Sequence, residues 1–280
     1  MKVLIAGGGT AGHINPAIAV ANTIKAHDKH AEIAFIGTAH GLENELVKKA
    51  GYPIYHIEMS GLQRSFSLRN IKTAYCYITA PIKAKKLIKK FGPDVVFGTG
   101  GYLSYPLIKA AGALGVPSAL HESNALVGKA IQMLSGTVNK IYLNFESAAE
   151  QIRDKSKVEV VGNPLISESD VLPSAELKRK LGIPAGASIT VLSFGGSLGS
   201  EKIADAVIAT AKKFKEDGRS VYFVHSAGSR KYDSAYKKAS ESGMTGADNF
   251  RLEKYIYNMP EWEACADIVI CRAGAMTLSE

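Results

Sequence analysis

The chain has 280 residues, 46% of them hydrophobic and 21% charged, and a formal net charge of +8 at pH 7. That length suits two domains that each bury a core, and the composition excludes a disordered or fibrous chain. Cys76, Cys265 and Cys271 form no CxxC and no His/Cys cluster, which argues against a zinc site or disulfide framework and fits a reducing cytosol. The positive charge favours a polyanionic partner: a phosphorylated ligand, nucleic acid or an anionic membrane.

The apolar run "KVLIA" (residues 2–6) is too short for a secretion signal, and no apolar stretch is long enough to span a bilayer. A cytosolic protein, free to lie against a membrane, is expected. "GGGTAGHINP" (residues 7–16) then leads into the helix-like "AIAVANTIKAH". A glycine-rich turn between strand and helix suits phosphate, and this one nearly satisfies three motifs. Gly7, Gly9 and Gly12 have dinucleotide-binding spacing, but "EIAFIGTAHG" supplies no acid for a ribose until Glu43. The same glycines begin a nucleotide-hydrolysing loop, with His13 and Ile14 where its lysine and hydroxyl belong. In the third reading His13 is a general base, since a near-neutral pKa suits removal of a proton from a hydroxyl nucleophile. The alternative role for His13 is to cap the helix or pack on the sheet.

From Met59 to Pro93 there is no Asp or Glu but there are eight cations: Arg64, Arg69, Lys72, Lys83, Lys85, Lys86, Lys89 and Lys90. Leu62, Phe66, Leu68, Ile71, Tyr75, Tyr77, Ile78, Ile82, Leu87 and Ile88 are interleaved, and Pro81 is expected to break or kink the helix. The pattern suits an anionic bilayer surface; it also fits nucleic acid, or a solvated helix with an apolar core side. Further on, "DVVF" precedes a glycine-rich turn from Thr99 to Tyr105 that includes Gly100, Gly101 and Tyr102. "PSAL" precedes His121, Glu122 and Asn124, and "KIYLNF" and "VEVVG" read as further strands. Strands alternating with helices indicate a parallel α/β sheet whose ligands bind at the carboxyl edge. Each polar residue there could instead cap a helix or tie a loop.

Ser167 to Pro173 is the best linker candidate. The pattern then restarts with "SITVLSFGGSLGSEKIADAVIATAKKF"; a shift of 187 residues lays Gly8, Gly9, Thr10 and Gly12 over Gly195, Gly196, Ser197 and Gly199. Two Rossmann-like domains facing across a cleft follow, at residues 1–164 and 165–280. Ser197 and the amides of Gly196 to Gly199 precede a helix, where a diphosphate binds without a metal; the chain contains no Asp-x-Asp. "ADIVICRAGAMTLSE" reads as strand, turn and helix start, and Glu280 could hold a ribose diol or merely complement the helix dipole. The second domain lacks the later elements such a sheet normally has, so a shortened version of a longer protein is expected.

Taken together, "GGGTAGHINPAIAVA", "IGTAHGLE", "GTGGYLSYP", "HESNALVGKA", "VVGNP", "FGGSLGS" and "ADIVICRAGAMTLSE" resemble the MurG family of peptidoglycan glycosyltransferases. The resemblance implies a two-domain GT-B fold with the second domain incomplete. It implies inverting transfer of N-acetylglucosamine from UDP-N-acetylglucosamine to the 4-hydroxyl of an undecaprenyl-pyrophosphoryl-linked N-acetylmuramyl-pentapeptide, peripherally at the cytoplasmic membrane face, with no cofactor, metal or nucleic acid. Donor contacts would fall on Thr10, Ala11, Gly12, Asn124, Ser197, Ile256, Ala275, Met276, Thr277, Leu278, Ser279 and Glu280. His13 would be the base, Gly100, Gly101, Tyr102, Tyr105 and Glu122 would line the acceptor side, and residues 62–90 would meet the membrane. Ala11 stands where many members have glycine, and Ile166 where many have an arginine after "GNP". A donor-contacting glutamine of the family would lie beyond Glu280. The alternatives are a binding form without turnover or a dinucleotide-dependent oxidoreductase.

Overall fold

The structure, a computed structural model, describes residues 1–60, 68–165 and 173–279, with backbone alone at 68–72. Two compact units emerge, residues 1–166 with 279–280, and residues 167–278. Ile166, all but the last residue of the expected linker, Leu62, Arg64 and Phe66 of the basic segment, and Glu280 lie outside the described residues.

The first unit runs β1 (Lys2–Ala6), α1 (Ala11–His27), β2 (Glu32–Gly37), α2 (Glu43–Lys49) and β3 (Ile54–His56). It continues with α3 (Leu68–Phe91), β4 (Val95–Gly98), α4 (Gly101–Leu114), β5 (Ser118–Glu122) and α5 (Lys129–Leu134), then β6 (Lys140–Leu143), α6 (Glu146–Ala149) and β7 (Val158–Val160). All strand pairs are parallel, in the order β3-β2-β1-β4-β5-β6-β7. Strands flanked by crossover helices are covered on both faces, which is why Leu4, Ile5 and Ala6 are consecutively buried without alternation. Each large side chain so buried contributes roughly 2 kcal/mol. The chain progresses one way from β1 to β3 and the other way from β4 to β7. Between β1 and β4 the order reverses, and the loops leaving their carboxyl ends diverge to open a crevice. Both glycine-rich turns of this unit, residues 7–10 and 99–100, leave those two strands.

Of the break or kink expected at Pro81, the break does not occur: α3 runs on through it. Thr73, Cys76, Ala80, Ala84 and Ile88 form a buried stripe at three- and four-residue spacing on both sides of the proline. That packing outweighs the one backbone hydrogen bond a proline removes.

The second unit holds α7 (Ala175–Lys180), β8 (Ile189–Phe194), α8 (Glu201–Glu216), β9 (Val221–Ser226), α9 (Tyr232–Glu241), β10 (Phe250–Glu253), α10 (Met259–Cys265) and β11 (Ile268–Cys271), with α11 (Ala275–Ser279) ending the described chain. The sheet order β10-β9-β8-β11 is again parallel and repeats β3-β2-β1-β4 element for element. In α8, Ala204, Val207, Ile208 and Ala211 face the sheet while its lysines point outward. His225 is buried on β9 with Nδ1 2.9 Å from the Ser193 hydroxyl, and burial pushes its pKa down to about 4. It is therefore neutral at physiological pH.

Candidate active site

In the first unit the site is built around His13, on the first turn of α1. Its Nδ1–H donates to the Thr99 carbonyl at 2.9 Å. Since a carbonyl only accepts, this bond fixes the neutral tautomer and leaves the Nε2 lone pair as the basic atom. The Thr99 hydroxyl in turn donates to the His13 carbonyl at 2.5 Å, so the β4–α4 turn grips both ends of the residue. Burial lowers the His13 pKa, while the Thr99 bond and the Glu122 charge oppose that shift.

The ring lies over Gly100 and Gly101. Their φ angles are +90° and +72°, and a methyl on either would come within 3.1 and 3.2 Å of the imidazole. A methyl on Gly101 would also sit 2.7 Å from the Gly8 carbonyl oxygen. These two positions need glycine both for the left-handed backbone and for the close approach. Tyr102 follows directly on α4. Tyr105, one turn on, packs its ring on Tyr77 of α3 at 4.9 Å between centroids, so its contact here is interhelical packing.

Glu122, at the end of β5, is buried and spends its carboxylate on the next loop. Oε1 accepts from the Asn124 amide at 3.0 Å and from its side-chain Nδ2 at 2.8 Å, and Oε2 from the Gly128 amide at 2.7 Å. Asn124 is exposed and held in one orientation by this bond. Glu122 thus acts here as loop organiser and as a distant charge on His13. His121 donates from Nε2 to the Gly162 carbonyl at 2.9 Å, tying β5 to the segment after β7. Thr10 is the extended N-cap residue of α1, and Ala11 and Gly12 form its first two positions. Ala11 is buried, so the packing accommodates its methyl.

The turn of the second unit matches its counterpart only at first. Gly9 and Gly196 share left-handed φ values of +91° and +79°. Gly12 then lies inside α1, whereas Gly199, at φ +85°, precedes the N-cap Ser200. The second turn is thereby longer. Its Gly199 amide bonds back to the Gly196 carbonyl at 2.9 Å, so that N–H, expected among the phosphate donors, closes the turn instead. The Ser197 carbonyl accepts from the Ser229 amide, locking this turn to the one after β9.

A cavity of about 260 Å³ opens beside it, lined by Gly196, Arg272, Ala273, Gly274 and Thr277. Thr277 is one of the residues that the resemblance assigns to the donor. Arg272 was not singled out from sequence, although a cation directly after a strand at a sheet's carboxyl edge was a usable signal. Its guanidinium is so near Gly196 that a methyl on that glycine would be 3.1 Å from Nη2. Ala275, Met276 and Ser279 are half-buried and Leu278 is exposed on α11. Ile256 is buried in the core with Trp262 and Phe194, which leaves its backbone as the part able to meet a ligand.

Residues 3–143 match the model of the glycosyltransferase family 28 N-terminal domain, and residues 190–280 that of the family 28 C-terminal domain. A protein of Acetivibrio thermocellus named UDP-N-acetylglucosamine–N-acetylmuramyl-(pentapeptide) pyrophosphoryl-undecaprenol N-acetylglucosamine transferase is 39% identical over 280 residues, covering 100% of this chain and 74% of its own length. The protein of that name from Bacillus cytotoxicus is also 39% identical, with 75% of its length covered. Among solved structures, that of Acinetobacter baumannii MurG superposes with a TM-score of 0.63 at 24% identity, over 99% of this chain and 73% of that one. Similarity along the whole of this chain at this identity, two family domains in order and two parallel α/β sheets agree: the chain belongs to glycosyltransferase family 28.

Proposed function

We infer that the protein is an N-acetylglucosaminyltransferase of peptidoglycan synthesis, moving the sugar from UDP-N-acetylglucosamine to a lipid-linked muramyl-pentapeptide. The observation that carries this reading is the likeness, along the whole of this chain, to transferases of that name, together with an oriented, neutral histidine at the carboxyl edge of the first sheet.

His13 Nε2 takes the proton from the muramyl 4-hydroxyl as that oxygen bonds to the anomeric carbon from the face opposite UDP. The bond to the diphosphate breaks, the configuration inverts, and the imidazolium formed is stabilised by the Thr99 carbonyl and the Glu122 charge. The leaving diphosphate gains negative charge as it departs. The second turn, the start of α8 and Arg272 offer fixed dipoles and a guanidinium fork for that charge. Thr10 to Gly12, Asn124, Ile256 and α11 complete the donor contacts, and Gly100 to Tyr102 face the acceptor. No cofactor is required.

The dinucleotide-enzyme alternative is not favoured. The acid its ribose would need, Glu43, has its carboxylate bonded to Thr38 and to the Gly9 amide. The direct experiment is transfer of labelled N-acetylglucosamine to a lipid-linked muramyl acceptor, with thermal protection by UDP-N-acetylglucosamine as a second readout. Donor present at about 100 times its Kd stabilises the folded chain by about 2.7 kcal/mol. Protection by NADH in place of the UDP-sugar would overturn the reading.

Membrane contact is the finer part of the proposal. No helix among the described residues is long and apolar enough to cross a bilayer. On α3, however, Tyr75, Ile78 and Ile82 are 67%, 71% and 55% exposed, on the side away from the buried stripe. Lys83, Lys86, Lys89 and Lys90 are exposed alongside them. Exposed apolar residues rimmed by lysines suit the cytoplasmic interface of an anionic membrane, where the lipid-linked acceptor resides. Reversing Lys85, Lys86 and Lys89 to glutamate should weaken co-sedimentation with anionic vesicles about 100-fold, at roughly 1 kcal/mol per lysine removed. Unchanged binding would leave α3 an ordinary solvated helix.

A further inference from the structure

We propose that Glu43 is a positioning residue for His13, holding the first glycine turn against the Gly100–Gly101 turn that cradles the imidazole. The proposal rests on the assignment of His13 as the base.

Glu43 is the first residue of α2 and is 0% exposed. Its Oε1 accepts from the Thr38 amide and the Thr38 hydroxyl, both at 2.8 Å, and its Oε2 accepts from the Gly9 amide at 3.3 Å. These three donors are neutral. Burying a carboxylate is costly unless such bonds replace its water, so the arrangement is specific. The surrounding backbone is shaped to it. A side chain on Gly41 would overlap the carboxylate, and a methyl on Gly8 would lie 3.2 Å from it.

A continuous path leads from this carboxylate to the imidazole. Gly9 packs on the Tyr102 ring, where a methyl would stand 2.9 Å from Cε1. Gly8, one residue back, presents its carbonyl to Gly101. Gly101 and Gly100 carry the His13 ring, and the Thr99 carbonyl accepts the hydrogen bond from its Nδ1–H. Glu43 therefore joins the loops after β1 and β2 at a point two contacts from the reacting nitrogen. It has no place at the substrate itself. Its acid stands near where a dinucleotide fold would put a ribose ligand, yet the carboxylate is turned inward onto the protein's own turn.

Glu43→Gln is a sharp probe because the shape is kept while one oxygen becomes an NH₂ donor. With the amide oxygen kept on Thr38, the new donor faces the Gly9 N–H and the two repel. The full chain labelled with ¹⁵N-histidine reports the His13 tautomer by long-range proton–nitrogen correlation, assigned by loss of its signal in His13→Gln. The wild type should show the Nδ1–H form alone. Glu43→Gln should shift the His13 ring signals and bring in the Nε2–H tautomer, with the melting midpoint lowered by several degrees but the chain still folded at the assay temperature. Its kcat should fall about 10- to 100-fold while the KM for UDP-N-acetylglucosamine stays within about twofold. Glu43→Asp should recover part of the kcat.

Unchanged His13 signals overturn the proposal, whether or not kcat falls, and so does a fall in kcat matched by an equal loss of folded protein. Should Glu43→Gln fail to fold, Thr38→Val, which removes one donor from the carboxylate, is read by the same two measurements. A wild-type chain that transfers no sugar would remove the assignment of His13 as base. The tautomer measurement would still decide separately whether Glu43 sets the ring.

Discussion

Replacing His13 by alanine is expected to lower kcat by about 10³-fold, with the KM for UDP-N-acetylglucosamine changed by no more than about twofold. The size follows from losing a general base whose geometry is already set. Nδ1–H is committed to the Thr99 carbonyl, so Nε2 meets the acceptor hydroxyl without a tautomer change. The neutral imidazole is the active form, which determines the sign of the pH dependence. Burial puts the folded-state pKa below the ordinary 6.5. The rate should therefore rise with pH through a midpoint below 6.5 and level off at neutrality. The acid limb should vanish in His13→Ala, whose residual rate reflects donor activation alone. A variant that keeps wild-type kcat, or keeps the same acid limb, would place the base elsewhere.

Gly199→Ala should weaken UDP-N-acetylglucosamine binding at least about 10-fold and lower the melting midpoint of the second unit by roughly 10 °C. Two effects add. At φ +85° a side chain carries a conformational cost of about 1–2 kcal/mol. The new methyl would also overlap the Ala227 carbonyl oxygen, which belongs to the interlocked turn after β9. Relief of that overlap requires the two turns to separate, and the Ser197–Ser229 bond and the Gly196–Arg272 contact move with them. Gly246→Ala is the matched control. Its φ is +75° but a methyl there meets nothing within 4 Å, so it should cost only about 1 kcal/mol and leave donor affinity intact. Equal loss of affinity in both variants would mean that the geometry of the second turn is not what holds the donor.

Much of the fold was legible from local pattern. "KVLIA" and "ITVLSF" are mostly apolar and buried without alternation because both faces of a parallel strand are covered, and each is followed by a glycine-rich turn. The internal echo at a shift of 187 residues anticipated a repeated strand–turn–helix, and the repeated sheet order extends it to four strands. The limit of the echo was not legible. Gly12 and Gly199 align in sequence but occupy a helix and a turn, because a glycine is compatible with both backbones and the neighbours decide. Pro81 shows the same in reverse, a strong local signal overruled by a buried stripe that spans it.

By itself, the sequence determined the parallel α/β architecture, the two glycine turns and the histidine directly after the first turn's last glycine. Those follow from hydrophobic period and from backbone angles that only glycine adopts freely, and both act within a few residues. The tertiary structure decided which groups meet. Sheet order put Thr99 against His13, turned Glu122 to its own loop, aimed Glu43 at Gly9 and set Arg272 beside Gly196. Hydrogen bonds between residues 34 and 86 positions apart depend on strand neighbours chosen by the packing of the whole sheet, and no local pattern carries that choice.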